Sequence, residues 1–312
     1  MAEFFAKNIY IRFLTFEDSQ ALYEMRCKNK EFLQPFEPRR DPSFFTLEEQ
    51  QRQIMRNLND MQSDRAFLFG VFLRETKQLI GRIALTNIVR GPVQTADLGY
   101  FISEEHNGKG FATEAVKLVL KFAFTRAKLH RVQASAMPRN PASNRVLKKA
   151  GFQFEGVARK LIQINGIWED HNQYAMIAED YYMEVFKMNV AIKRIYDEPA
   201  ANDGLRILVD RLWPRGVSKQ KAQIAEWMKE IAPSGELREW FGHIPERFDE
   251  FRQKYVHELE TDPARKQLCE KLLRLAAQGP VTLVYGAKDE RHNQAVVLKQ
   301  WLEAKLSKGE WQ

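Results

Sequence analysis

Asn107-Gly-Lys-Gly-Phe-Ala-Thr-Glu-Ala-Val116 places two glycines at the mouth of a helix, just after the strand-like run Ala96-Asp-Leu-Gly-Tyr-Phe-Ile102. A helix N-terminus exposes unpaired N–H groups and a partial positive charge, so it attracts phosphate. Glycine lets the backbone turn tightly and approach such a group closely. The helix itself is amphipathic. Ala112, Ala115, Val116, Val119, Phe122 and Ala123 recur at three- and four-residue spacing, while Lys117 and Lys121 fall on the other face. Taken alone, the G-x-G pattern also fits a turn that binds nothing.

A second constellation follows. Gln133-Ala-Ser-Ala136 reads as a short strand, and Asn140-Pro-Ala-Ser-Asn-Arg-Val-Leu-Lys-Lys-Ala-Gly-Phe152 as a cap, a helix and a glycine stop. L-G-Y at 98–100, N-G-K-G-F-A-T-E-A at 107–115, L-H-R-V at 129–132, N-P-A-S-N-R-V-L-K-K-A-G-F at 140–152 and E-G at 155–156 stand in one order. In that order they resemble the GNAT superfamily of N-acetyltransferases. Within it the likeness is to the RimJ/RimL type, which acetylates ribosomal-protein N-termini. It extends more loosely over residues 1–183 and implies a mixed, splayed β-sheet flanked by helices.

The chain of 312 residues suits two domains, each able to bury a core. Its net charge of +7 is spread out: 27 basic against 22 acidic residues in 1–187, and 21 against 19 in 188–312. That excess fits an anionic cofactor or acidic partners, and without a basic run it gives no argument for nucleic acid. Cys27 and Cys269, one in each half, argue against a disulfide scaffold and suit a reducing cytoplasm. The absence of a long apolar stretch or signal-peptide pattern leads to the expectation of a cytoplasmic protein without a membrane segment.

The first half alternates strands and helices. Ile9–Phe13 reads as a strand, Thr15-Phe-Glu-Asp18 as a capping box opening a helix to about Lys28, and Thr46-Leu-Glu-Glu49 as the start of another to about Asp60. Phe67–Leu73 and Leu79–Ile88 form a hairpin, and strands near Val157–Ile164 and Trp168–Ile177 join at Asn165-Gly166. A fresh strand pattern begins at Met188, so the boundary is set near 187, as in a fusion of two once-separate chains. The expectation is a two-domain α/β (α+β) chain: residues 1–187 acetyltransferase-like, residues 188–312 a small α/β domain.

The resemblance implies roles residue by residue. The N–H groups of Asn107, Gly108, Lys109, Gly110, Phe111 and Ala112 grip the pyrophosphate of acetyl-CoA, with Thr113 adding a hydroxyl. The strand Leu98, Gly99, Tyr100, Phe101, Ile102 pairs its backbone with the pantetheine arm and polarises the thioester carbonyl. Glu105 stands where the superfamily usually carries Gln or Arg, and is expected to turn to solvent. Lys109 either screens phosphate or is a solvated turn lysine. Many members place a tyrosine seven residues after the asparagine, where this chain has Leu147. Ser143 is the RimJ/RimL-type alternative: it protonates the leaving thiolate, or it caps the helix. Asn140 holds the pantetheine amide. Asp97 is the candidate base through a water, with Glu104 a weaker one, and its other reading is a surface aspartate. His106 and His130 read as solvated turn residues. The acceptor pocket is expected at Phe36, Trp168, Asp170 and Tyr174, although Trp168 and Tyr174 also fit a core and Asp170 a loop brace. No metal site is read.

In the second half, strands are expected at Val190–Ile195, Ile207–Arg211 and Val281–Tyr285, and helices at Ile224–Ile231, Pro245–Glu260, Pro263–Ala277 and Asn293–Leu306. Asp210-Arg-Leu-Trp-Pro-Arg-Gly216, Ile231-Ala-Pro-Ser234, Trp240-Phe-Gly-His243 and Tyr285-Gly-Ala-Lys-Asp289 with Asn293 resemble the YeaO-like family, which supplies a fold and no reaction. Loops leaving strand carboxyl ends carry ligands in open α/β sheets. On that ground Arg211, Arg215, Lys219, His243 and Lys288 are a candidate anion site, or simply surface cations. The function expected of the whole is acetyl transfer from acetyl-CoA to an amine. The acceptor is a protein N-terminal α-amine of ribosomal type, or a small amine (polyamine, amino acid or antibiotic). A non-catalytic acyl-CoA sensor coupled to the second domain is the reading of another class.

Overall fold

The computed structural model describes residues Glu3–Ser307, and the chain divides into two compact units, Met1–Ala178 and Glu179–Gln312. Residues 308–312 of the expected second domain lie outside the described range.

The first unit is built on eight strands: β1 (Glu3–Phe5), β2 (Ile9–Phe13), β3 (Phe67–Leu73), β4 (Leu79–Val89), β5 (Thr95–Ile102), β6 (Arg131–Ala136), β7 (Gln153–Ile164) and β8 (Ile167–Ile177). They form one sheet in the order β1-β2-β3-β4-β5-β6-β8-β7. Every neighbouring pair is antiparallel except β5 and β6. The helices are α1 (Ser19–Lys28), the short α2 (Lys30–Leu33), α3 (Leu47–Gln62), α4 (Phe111–Thr125) and α5 (Pro141–Lys149).

Local chemistry sets these boundaries. Thr15 N–H donates to Asp18 Oδ2 at 2.8 Å, closing the expected capping box before α1, and Thr46 Oγ1 accepts from Glu49 N–H at the start of α3. Asn165 and Gly166 take φ of +52° and +84°, as the tight turn between β7 and β8 requires. α4 buries Ala115, Val116, Val119, Phe122 and Ala123 while Lys117 and Lys121 stay exposed. Phe122 stands edge-on to Phe4, Phe13, Phe67 and Phe69 at 4.9–5.9 Å between ring centroids. Its truncation would cost about 3–5 kcal/mol. On the opposite face α1 and α3 close over Tyr10, Leu68, Phe72, Ala84 and Phe101.

The second unit holds four parallel strands, β9 (Val190–Arg194), β10 (Leu205–Leu208), β11 (Glu226–Trp227) and β12 (Val281–Tyr285), in the order β11-β10-β12-β9. Its helices are α6 (Ala178–Asn189), α7 (Lys219–Ala222), α8 (Gly235–Phe241), α9 (Phe248–Thr261), α10 (Pro263–Gln278) and α11 (Gln294–Ser307). Two sequence expectations are corrected here. The helix expected over Ile224–Ile231 is instead β11 and a 3₁₀ turn at Lys229–Ile231, because Glu226 and Trp227 pair with Ile207 and Leu208 of β10. The units also divide before residue 187, because α6 lays Tyr182, Met183 and Phe186 into the second core.

Candidate active site

The site grows from one irregularity. β5 and β6 pair only at Thr95, Ala96 and Asp97 with Arg131, Val132 and Gln133, and then part. Leu98–Ile102 therefore keeps β4 on one side and has no strand on the other. Its peptide groups on the open side are available to an extended chain carrying amides.

At the end of β5 the phosphate turn is held from below. Asn29, buried at the end of α1, donates to Ser103 Oγ at 2.9 Å and accepts from Glu104 N–H at 2.8 Å. Asn107 Nδ2 donates to Ile102 O at 3.3 Å. Gly108 and Gly110 take φ of +75° and +84°, and Gly110 caps α4. A Cβ built on either would meet nothing within 4 Å, so the glycines front open space at a helix N-terminus. Such a cradle fits a diphosphate. Lys109 and Thr113 belong to the same turn, Lys109 exposed and Thr113 partly buried, and Phe111 and Ala112 open the helix.

Glu105 does not simply turn to solvent. It pairs with Lys28 Nζ at 2.6 Å, a hydrogen bond that holds its carboxyl below the usual range and neutralises the charge beside the turn. His106 is mostly buried rather than solvated, with its ring 6.3 Å from Phe111, and burial lowers its pKa. His130 is exposed, and its main chain bonds Gln94 and Ala178.

Ser143 and Asn140 divide two tasks. Asn140 Oδ1 accepts from Ser143 N–H at 3.0 Å and so caps α5 with its side chain. The Ser143 hydroxyl is thereby left to face the sheet, where Tyr100 Oη lies 3.0 Å away and either oxygen can donate. Burial pushes the Tyr100 phenol up to about 12, so this pair keeps its protons at neutral pH. Leu147, at the superfamily's tyrosine slot, is fully buried core.

Asp97 stands on the other face. Along β5, Tyr100 meets α5 while Phe101 packs with α1, so Asp97, in step with Phe101, faces the α1/α3 side. It sits at the last β5–β6 pair, and its oxygens accept from Asn87 Nδ2 at 2.8 Å and Gln133 Nε2 at 2.7 Å. A hydroxyl pair and a carboxylate thus flank the opened strand from opposite faces. Glu104 is exposed on the 3₁₀ turn that follows β5.

The expected acceptor residues do not all converge. Tyr174 is 2 % exposed and donates to Asn144 Oδ1 at 2.8 Å, so it ties β8 to α5. Asp170 accepts from Lys160 N–H at 2.9 Å and braces the bulge of β7. Phe36 and Trp168 are 37 % and 53 % exposed. The turn bearing Phe36 is pinned by Arg139, which reaches Pro35 O at 3.1 Å and Glu169 at 2.8 Å. Sequence reasoning passed over Asn29 and Asn144. Asn144, four residues past Asn140, accepts from both Tyr174 and Asn172 and donates to Met137 O and Asn140 O. Its helical spacing from Asn140 was the available signal, whereas Asn29 had none.

In the second unit the five cations differ in their surroundings. Arg211 faces Glu230 at 3.7 Å, His243 lies against Phe241, and Arg215, Lys219 and Lys288 are exposed. The group that bridges the ends of β10 and β12 is Asp210, which accepts from Gly286 N–H at 2.8 Å and from Gln294. Burial pushes its carboxyl up to about 6. A buried carboxylate at that position opposes an anion pocket.

Among the described residues no helix is long and apolar enough to cross a membrane. A family model for an acetyltransferase (GNAT) domain matches residues 8–153, and one for an inactive DUF488-N3 subclade matches residues 189–311. The probable N-acetyltransferase YjcK of Bacillus subtilis is 43 % identical over 174 residues, 56 % of this chain and 96 % of its own. The uncharacterised YeaO of Escherichia coli is 44 % identical over 117 residues, 38 % of this chain and 99 % of its own. The structure of ribosomal-protein-S5-alanine acetyltransferase from Vibrio fischeri superposes with a TM-score of 0.56 at 31 % identity, covering 58 % of this chain and 99 % of that one. RimJ of Mycobacterium smegmatis in complex with CoA-disulfide gives 0.53 at 26 %, covering 55 % and 83 %. Each half of the chain thus matches nearly the whole of a separate protein.

Proposed function

The chain belongs to the GNAT acetyltransferase family in its first unit and to the YeaO-like proteins in its second, and from that premise we propose its reaction. The first unit transfers acetyl from acetyl-CoA to a protein N-terminal α-amine of the ribosomal-protein type. The observation that carries this reading is the opened strand, Leu98–Ile102, between the Gly108–Gly110 cradle and the Ser143–Tyr100 pair. The names of the S5-alanine acetyltransferase and of RimJ with CoA support the acceptor and the cofactor.

Acetyl-CoA supplies an activated acyl group as a thioester. The turn amides bind its diphosphate, and the open side of β5 aligns the pantetheine amides and donates to the thioester oxygen as charge develops there. An N-terminal amine has a pKa of about 7.7–8.0, so part of it is already neutral at pH 7 and needs no strong base to attack. Asp97, on the acceptor face, takes the proton that the amine loses. Ser143, backed by Tyr100, gives a proton to the departing sulfur. In balance, one N–C bond forms, one S–C bond breaks, and the amine proton is replaced on the thiol through the site.

The second unit is not given a reaction. Its likeness is to a subclade described as inactive.

The test is mass spectrometry of acceptors incubated with acetyl-CoA and the full chain: ribosomal-protein N-terminal peptides beside polyamines, amino acids and aminoglycosides. Acetyl on a peptide α-amine supports the proposal, and acetyl on small amines alone replaces it with the small-molecule reading. Cofactor binding with no transfer anywhere would leave the acyl-CoA sensor.

A further inference from the structure

On the α1/α3 face beside the opened strand, Arg26, Arg40 and Arg82 gather around Glu37. Arg26 on α1 lies 4.9 Å from the ring centroids of both Phe101 on β5 and Phe44. Arg40 stacks on the same Phe44 at 4.9 Å. Arg82 on β4 is the register partner of Phe101, so its side chain leaves the sheet on the same face. Arg26 pairs with Glu37 at 2.6 Å. Among the described residues Arg82 and Arg40 have no ion-pair partner, and Arg26 Nε is buried without a hydrogen-bond acceptor.

This is an expensive arrangement. Arg26 is 3 % exposed, and a buried guanidinium left short of partners loses hydration without recovering it. Burial, followed by repulsion from Arg26 and Arg40, draws Arg82 down to about 10, which still leaves it charged at neutral pH. Aromatic faces offset part of that cost and fix the guanidinium planes. A cluster with more guanidinium than carboxylate charge is satisfied by an incoming anion, and planar guanidinium forks match a carboxylate. It also lies on the face that Asp97 occupies, away from the Ser143 side.

We propose that Arg82, Arg26 and Arg40 bind a carboxylate of the acceptor close to the amine that is acetylated, so that the enzyme selects acidic N-terminal segments. This rests on the acetyl-transfer reading of the same site. A carboxylate can come from an Asp or Glu side chain at the second or third residue of a peptide, or from the α-carboxylate of a free amino acid. The peptide source is the one the proposal commits to, and the amino acid is an arm of the test.

The test uses the full chain and acceptor peptides identical except for Glu or Gln at the second and third positions, beside free glutamate and glutamine. The wild type is expected to favour the Glu peptide by roughly tenfold or more in kcat/KM, since truncating one partner of a desolvated charge pair is costly. In Arg82→Gln the Glu-to-Gln ratio should fall toward one, with a smaller fall in Arg40→Gln. Arg82 has no ion-pair partner to lose, so its variant is expected to fold, and a thermal melt checks that. Equal rates for the two peptides in the wild type, or a preference that survives in both variants, overturn the proposal while leaving acetyl transfer intact. Acetylation of free glutamate alone overturns the peptide source. If no acceptor is acetylated, the transferase reading fails separately. Calorimetry of N-acetylated Glu and Gln peptides then decides the cluster: Glu binding lost in Arg82→Gln upholds it, and equal or absent binding refutes it.

Discussion

Gly110→Ala separates a turn from a cradle. Gly110 sits at φ +84° at the cap of α4, and an added Cβ would meet nothing within 4 Å. The folded protein therefore suffers only the left-handed strain, about 1 kcal/mol. For a unit of this size that is a fall in Tm of roughly 2–4 °C. The open space in front of the Cβ is the space a diphosphate would enter. Displacing the phosphate by one methyl group breaks one charge-assisted N–H bond, worth about 1.5–3 kcal/mol. Affinity for CoA should then fall by roughly tenfold to a hundredfold, at about 1.4 kcal/mol per factor of ten. Gly91→Ala is the matched control: φ is +68°, nothing lies within 4 Å, and it sits on the β4–β5 loop away from the turn. It should share the Tm loss and bind CoA normally. Calorimetry with CoA and with pantetheine, which lacks the diphosphate, reads the difference. The reasoning is refuted if Gly110→Ala binds CoA as the wild type does, or loses pantetheine affinity equally.

Two more outcomes are expected. Ser143→Ala should lower kcat by about a hundredfold, the usual scale for a positioned acid, with acceptor KM little changed. If Tyr100 acts through Ser143, adding Tyr100→Phe should cost little more, and thiol release in the single and double variants measures this. A Ser143→Ala rate within twofold of wild type would assign the proton elsewhere. In the second unit, Asp210 has a folded pKa of about 6, above its unfolded value of about 3.9, so the folded state holds its proton more tightly. Its destabilising contribution, at most about 3 kcal/mol, is full above pH 6 and fades as pH falls toward 4. Denaturant unfolding from pH 7.5 to 4.5 should show wild type gaining on Asp210→Asn across that window, and parallel curves would sink the assignment.

What the sequence revealed was whatever rests on local signals. The Gly108–Gly110 turn, the caps at Thr15, Thr46 and Asn140 and the turn at Asn165-Gly166 each announce themselves within a few residues. The six strands from β3 to β8 follow from alternation and turn residues in the same way. Illegible features depend on partners far along the chain. Ile224–Ile231 has helical composition, yet pairing with β10 makes Glu226–Trp227 a strand. Tyr174 fits an acceptor pocket or a core equally well until Asn144 is seen to hold it. The arginine cluster gathers residues 26, 40 and 82 from a helix, a loop and a strand, and no spacing rule links them. Asp210 lay within a quoted motif, but burial between two loops, which gives it its chemistry, leaves no mark on neighbouring residues.

The parting of β5 from β6 also bears on how this protein avoids aggregating. A sheet normally ends in two edges, and exposed edges recruit strands from other molecules. Opening the sheet after Asp97 creates two more edges, facing each other and closed at one end by the Thr95–Asp97 pairs. A foreign strand would have to enter lengthwise between them. The five residues from Leu98 to Ile102 offer a track of about 17 Å at 3.3–3.4 Å per residue, enough for one thin extended chain. The same gap that exposes backbone to a cofactor therefore shields it from another sheet.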